Sequence, residues 1–250
     1  MGVMVSTPSK AEMLSKYTPV GFVDPSTDVA YHLVGRQVEV AKPHVDALCC
    51  LTEISPLLYV TSAMGASLAA NSAAYNKAKL VVVSICDANT CTRLRQLIQH
   101  NHNFIEHHSF VVPVDDYAIS AFDFVMTFYG HARSLAVILE KQAAQKAEKQ
   151  AETSIVVHCV MGMNRSCATI VFAQILAGNI KHVKALVSYL KSINKRVRLD
   201  VLENQSFVDH LVMFGEFAKL YGPCQDATLR SLATRFEKFC LSRTYPVPAY

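Results

Sequence analysis

From residue 54 onward the chain alternates between short apolar runs and longer stretches with apolar positions three or four residues apart. Residues 57–60 read as a short strand, followed by a helical stretch of small residues, AMGASLAANSAAYNKA. LVVVSIC (80–86) is a continuous apolar run, the pattern of a strand covered on both faces. TRLRQLIQH (92–100) predicts a helix and SFVVPV (109–114) another strand. Ser120 with Asp123 three positions on forms a capping box. It opens a long helix whose apolar positions are Phe124, Val125, Phe128, Leu135, Ile138 and Leu139. Beyond Leu139 this helix becomes EKQAAQKAEKQAE, which has strong helix propensity and little to bury, so it is expected to project into water. SIVVHC (154–159) is the next buried strand. Helical patterns follow near 166–178, 181–194, 204–221 and 226–242, ahead of the tail YPVPAY.

Strands alternating with helices predict an α/β fold: a central mixed, mostly parallel sheet with helices on both faces. Ligands of such sheets bind at the carboxyl ends of the strands. No internal repeat is visible. Residues 1–51, punctuated by Pro19, Pro25 and Pro43, read as an N-terminal extension. Residues 52–221 read as the main domain, and residues 222–250 as a C-terminal helix and tail packed on or flanking it.

Composition narrows the function. Hydrophobic residues make up 51 % of the chain, ample for a core, while charged residues make up 18 % and the net charge is +4. So small and dispersed an excess argues against nucleic acid as a partner, yet would not repel a phosphorylated substrate. The N-terminal MGVMVSTPSKAEM has no run of signal-peptide length, and no stretch approaches a membrane span, so no stable membrane insertion is expected. Eight cysteines show neither a CxxC pair nor zinc spacing, which points to reduced thiols in the cytoplasm.

The segment HCVMGMNRS (158–166) carries the chemistry. Between a strand and a helix, the loop Val160, Met161, Gly162, Met163 and Asn164 can turn successive backbone N–H groups inward, with Gly162 supplying a conformation closed to other residues. The helix beginning near Arg165 aims its positive end at the same point, and the arginine adds a planar fork for phosphate oxygens. These features favour a tetrahedral dianion and also stabilise a thiolate at Cys159. A free cysteine titrates near ~8.5, and a helix N-terminus with a nearby cation brings this to roughly 3.5–7.5. In-line attack on phosphorus would give a phosphocysteine that water later hydrolyses. Ser166 can donate a hydrogen bond to the sulfur. Asp115 and Asp116, just after the strand 109–114, supply two carboxylates for protonating the leaving oxygen.

HCVMGMNRS resembles the HCxxGxxRS motif of the dual-specificity protein phosphatases, cysteine-dependent enzymes of the wider CxxxxxR group. The likeness extends to ISPLLYVTSAMGAS, similar to the family's opening strand, to VPVDD at the place of the general-acid loop, and to NQSFVDHLVMFGEF, similar to its closing N-x-x-F helix. It covers about residues 52–220. The resemblance implies a phosphatase acting on phosphotyrosine and phosphoserine or phosphothreonine in proteins, without metal or other cofactor. Cys159 is then the nucleophile, Arg165 the phosphate clamp, Ser166 the thiolate partner, residues 160–164 the phosphate loop, and His158 a structural support of that loop. The family's V-x-D unit selects Asp116 over Asp115 as the acid, with Asp123 the next candidate. Met161 stands where alanine is commoner and Asn164 where serine is; both are expected to contribute chiefly backbone. The charged segment 140–152 lengthens the connection before the catalytic strand. The absence of tryptophan excludes the acid loop typical of the tyrosine-specific branch, which leaves a shallow pocket.

Quieter features change the picture little. His100, His102, His107 and His108 cluster in what reads as a polar loop, and no metal site is expected there. Cys86 reads as a buried hydrophobe, the alternative being a redox partner of Cys159. Residues 1–6 fit M-G-x-x-x-[ST], so Gly2 is a candidate for myristoylation; one acyl chain without a second anchor holds a membrane weakly. The expected partner is a phosphorylated protein, and the expected compartment the cytoplasm, with the nucleus or a membrane surface as alternatives. Oligomeric state is not legible. The rival functions are phosphoinositide or other non-protein phosphate hydrolysis by the same machinery, and a pseudophosphatase that binds phosphoproteins without turnover.

Overall fold

The computed structural model describes residues 21–24, 29–32, 51–55, 57–75, 78–98, 105–112, 119–147, 153–160, 162–179, 183–194, 202–222 and 228–244. Their order is β1 (Gly21–Asp24), β2 (Val29–His32), β3 (Thr52–Ser55), β4 (Leu58–Ser62), α1 (Ala63–Tyr75), β5 (Leu80–Cys86), α2 (Ala88–Ile98), β6 (Ile105–Val111), α3 (Ala121–Ala147), β7 (Ser154–Cys159), α4 (Arg165–Leu176), α5 (Val183–Asn194), α6 (Gln205–Tyr221) and α7 (Leu229–Thr244).

The sheet runs β3-β4-β7-β5-β6, with β3 antiparallel to β4 and every other pairing parallel. The mixed, mostly parallel sheet is therefore as expected. Its centre is β7 and β5; the residues of β5 from Leu80 to Cys86 are all buried, as expected of a run that is apolar but for Ser84.

Two unlike layers cover the faces. On one side, Ala66, Ala70 and Ala73 of α1 and Leu94 and Ile98 of α2 pack on Leu80, Val82, Ile105 and Val156. On the other, α3, α4, α6 and α7 bury a cluster of phenylalanines over Val83, Ile85, Ile155 and Val157. Phe124 stacks on Phe172 with centroids 5.4 Å apart, and Phe214 meets Phe172 and Phe236 edge-on at 4.6 and 5.1 Å. Offset and edge-on contacts of this kind add to the area buried. Phe236 brings α7 into the same cluster as the helices before it.

Several boundaries depart from the sequence pattern. The strand expected at 109–114 runs instead from Ile105 to Val111. As an edge strand it is only partly covered, so Glu106, His107 and His108 are tolerated in it; they lie on a strand and not in a polar loop. The helix expected at 92–100 begins at Ala88, because Asp87 accepts the Thr90 N–H at 2.9 Å and its hydroxyl at 2.7 Å. β1 and β2 form an antiparallel pair within the region read as an N-terminal extension. Ser120 opens α3 as expected, accepting the Asp123 N–H at 3.0 Å while its hydroxyl donates to the Asp123 carboxylate at 2.7 Å. The charged end of α3 is helical to Ala147, but it does not simply project: the Gln142 amide donates to the Thr153 carbonyl at 2.6 Å, tying the helix to the start of β7.

Candidate active site

β7 ends at the carboxyl edge of the sheet, where β4 pairs Ser62 with Cys159. Cys159 is buried, and its sulfur accepts two hydrogen bonds, from the Gly162 N–H at 3.1 Å and from the Ser166 hydroxyl at 3.4 Å. Gly162 has φ +70°, a left-handed conformation that a side chain would strain, and it is this turn that brings its N–H back over the sulfur. Arg165, half-buried, is the first residue of α4, so the positive end of that helix opens directly behind the loop.

The loop is held from three sides. The Val160 carbonyl accepts from the Ala63 N–H at 3.1 Å, at the start of α1. The Met163 carbonyl accepts from the Leu202 N–H at 3.0 Å. Asn164 is buried, and its side-chain oxygen accepts from the Asn204 N–H at 3.1 Å. The expectation that Asn164 contributes chiefly backbone is therefore corrected: its side-chain amide joins the loop after β7 to the entrance of α6. Asn204 in turn caps α6, accepting from Ser206 N–H at 3.1 Å and Phe207 N–H at 3.4 Å.

His158 is fully buried and lies with Nε2 2.6 Å from the Ser84 hydroxyl. Burial pushes its pKa down to about 3, so the ring is neutral at physiological pH and serves the loop as a hydrogen-bonding strut. Cys86 is buried beside it, with Sγ 3.7 Å from His158 Nδ1. Burial raises the Cys86 thiol pKa well above its ordinary value, Cys91 and Cys159 add to that, and only the Arg165 charge opposes it.

Met161, Asp115, Asp116 and Gly2 lie outside the described residues, as do His100 and His102. The two ends of the stretch that carries the aspartates are nonetheless placed. Val112 N–H donates to the Cys86 carbonyl at 2.9 Å, at the carboxyl edge of the sheet. Ile119 N–H donates to the Ser206 hydroxyl at 3.2 Å, and its carbonyl accepts from His210 Nε2 at 2.8 Å. Asp123 uses its carboxylate in the cap of α3. Among the described residues, no group of three metal-ligating side chains comes together.

Sequence reasoning gave no role to Ser84 or Ser206, saw His107 only as part of a histidine cluster, and met Asn204 as the opening residue of the N-x-x-F helix without its capping role.

No family model matches the chain, and no curated protein does. Solved structures that it resembles include dual-specificity and tyrosine phosphatases and a human tyrosine phosphatase-like serine/threonine/tyrosine-interacting protein. Human DUSP28 is 20 % identical over 68 % of this chain and 95 % of its own, with a TM-score of 0.41. A mouse putative dual specificity phosphatase complexed with zinc tungstate is 14 % identical over 76 % and 98 %, with a TM-score of 0.44. OH1 from the Orf virus, a tyrosine phosphatase, is 20 % identical over 66 % and 85 %, with a TM-score of 0.40. These are likenesses of fold, and the chemistry rests on the residues themselves.

Proposed function

We propose that this protein is a cysteine-dependent protein phosphatase of dual specificity, hydrolysing phosphotyrosine and phosphoserine or phosphothreonine. The observation that carries the reading is the pair of donors on one sulfur, Gly162 N–H and Ser166 hydroxyl, at the mouth of a helix that begins with arginine. Both donors and the helix end place positive character around this sulfur.

In the first step the Cys159 thiolate attacks phosphorus in line. An S–P bond forms, the P–O bond to the leaving group breaks, and Asp116 gives its proton to the departing oxygen. Arg165 and the amides of residues 160–164 hold the equatorial oxygens, where negative charge concentrates. In the second step Asp116, now a carboxylate, takes a proton from water as its oxygen attacks phosphorus. The S–P bond breaks, and the leaving thiolate is received by the Ser166 hydroxyl.

Hydrolysis of phosphoinositides by the same machinery is less well supported, because Val160, Met163 and Asn164 bring no positive charge beyond Arg165. Cys86, its thiol held protonated, is a slow nucleophile toward an oxidised Cys159, which favours a packing role over a redox one. Among the described residues, Cys86, Cys91, Cys159, Cys167 and Cys240 form no disulfide, and the cytoplasm is the site of action we propose. Among the described residues no helix is long and apolar enough to cross a membrane. Any membrane contact would then rest on an acyl chain at Gly2.

The test is hydrolysis of phosphotyrosine and phosphothreonine peptides in the presence of chelator, with Cys159→Ser as the trapping variant. Turnover by the wild type, none by the variant, and retention of phosphoprotein on the variant are expected. Undiminished turnover by Cys159→Ser would overturn the mechanism, and phosphoprotein binding without wild-type turnover would favour the pseudophosphatase.

A further inference from the structure

On the face covered by α1 and α2, the apolar layer of the sheet stops at Val82 and Val156. Toward the carboxyl edge the next paired positions on this face are Ser84 of β5 and His158 of β7, both buried. His107 of the edge strand β6 stands opposite Val82 and so shares the face. Ser84 Oγ lies 2.6 Å from His158 Nε2 and 2.8 Å from His107 Nε2. His158 Nδ1 lies 3.2 Å from the Cys159 carbonyl oxygen. Three adjacent strands thus carry an unbroken polar line from half-buried His107 to the backbone of the nucleophile.

The donor inventory assigns the hydrogens. A carbonyl only accepts, and at 3.2 Å it stands nearer Nδ1 than the Cys86 sulfur at 3.7 Å, so His158 Nδ1 carries the proton. The ring is neutral, because burial pushes its pKa down to about 3, so Nε2 is bare and takes the Ser84 hydroxyl hydrogen. The serine oxygen is then left to accept, and His107 Nε2 donates to it. Burial, with Arg95 and His108 adding to it, pushes His107 to about 4, so this ring is neutral too and its Nδ1 is a bare lone pair. That Nδ1 is the buried ring atom without a partner. The opposite tautomer would bury an N–H with no acceptor and set two lone pairs face to face, so the line has one direction.

We infer that Ser84 and His107 are positioning residues for the Cys159 reaction: the line His107–Ser84–His158 holds the Nδ1–H on the Cys159 carbonyl and so fixes the first peptide of the phosphate loop. That planar peptide also carries the Val160 N–H, on the side opposite the carbonyl. A donor on the carbonyl pins the plane and polarises the amide, which makes the N–H a stronger and better-aimed partner for an anion. The next peptide is pinned independently, by Ala63 N–H on the Val160 carbonyl at 3.1 Å. The consequence for turnover rests on the phosphatase reading; the hydrogen-bonded line does not.

The experiment has two arms. Nitrogen-15 shifts of the His158 ring, recorded at pH 7 in the full chain, read the tautomer directly. A neutral ring protonated at Nδ1 is expected in the wild type, and mixed tautomers in Ser84→Ala. In the second arm, kcat/KM for a phosphotyrosine peptide and inhibition by orthovanadate are measured in His107→Phe and His107→Gln. The glutamine amide nitrogen stands where Nε2 stood and can donate to Ser84; the phenyl ring cannot.

Deleting an anion donor outright costs ~10²–10³-fold in rate. The indirect loss in His107→Phe should be smaller, on the order of tenfold in both kcat/KM and vanadate affinity, with His107→Gln restoring most of it. Equal impairment of the two variants would make His107 a packing residue and overturn the inference, as would a wild-type ring protonated at Nε2. If the wild type turns over no phosphate ester, the phosphatase reading falls, and the tautomer arm alone then decides whether the line exists as drawn.

Discussion

Lowering the pH from 7 to 5 should weaken this fold through His158. The ring is fully buried, and burial holds its pKa at about 3, against ~6.5 in an unfolded chain. Between those two values the unfolded chain binds a proton that the folded one refuses. Stability is therefore unaffected by this group above pH 6.5 and is lost as the pH falls from there toward 3. At pH 5 the unfolded ring is almost wholly protonated and the folded ring is not, a difference of about 2 kcal/mol, nearly all of which develops below pH 7. His107, pushed to about 4 by burial with help from Arg95 and His108, acts in the same direction to a smaller, solvent-screened extent. The assay is urea unfolding at both pH values for the wild type and His158→Gln. The glutamine variant should lose about 2 kcal/mol less than the wild type between pH 7 and 5, even though it starts less stable. As a second readout, wild-type unfolding at pH 5 should take up close to one proton more per chain than unfolding of the variant. Equal losses in the two proteins would mean that His158 is charged in the fold at pH 5, and the neutral strut beneath the loop after β7 would be refuted.

Three further outcomes are expected. Arg165→Lys should be nearly as damaging to kcat/KM as Arg165→Ala, because a point charge cannot reproduce a bidentate fork; retention of most activity would remove the clamp assignment. Asp116→Asn should make kcat depend steeply on leaving-group pKa while Asp115→Asn leaves the dependence shallow, and the reverse pattern would exchange the two. Phe236→Ala should lower stability by about 3–5 kcal/mol, since it empties the position where α7 meets Phe214 and Phe217; a loss below ~1 kcal/mol in urea unfolding would mean α7 adds little to the core.

The parts of this fold legible in the sequence are those set by local chemistry. LVVVSIC and SIVVHC could be placed to the residue because short, β-branched and nearly apolar runs suit a strand covered on both faces. Cys159, Gly162 and Arg165 could be named because one strand, one turn and one helix bring them together within seven residues. Long-range pairings left no comparable trace. Ser84 interrupts an apolar run like any stray polar residue, and only the register of three strands reveals that His107 and His158 flank it. The start of β6 was invisible for a related reason: an edge strand tolerates IEHH, which reads as loop to any rule based on burial. Asn164 was undervalued because its partner stands 40 residues away.

The two bonds that join the loop after β7 to the entrance of α6, Leu202 N–H to the Met163 carbonyl and Asn204 N–H to the Asn164 side-chain oxygen, have a consequence for how such a chain can be altered. Between their ends lie α4, α5 and the connections around them, yet the contacts themselves are made by a handful of atoms at the site. A change that displaces either partner breaks a hydrogen bond that no neighbour along the chain replaces, so residues 162–164 and 202–204 should accept change only together.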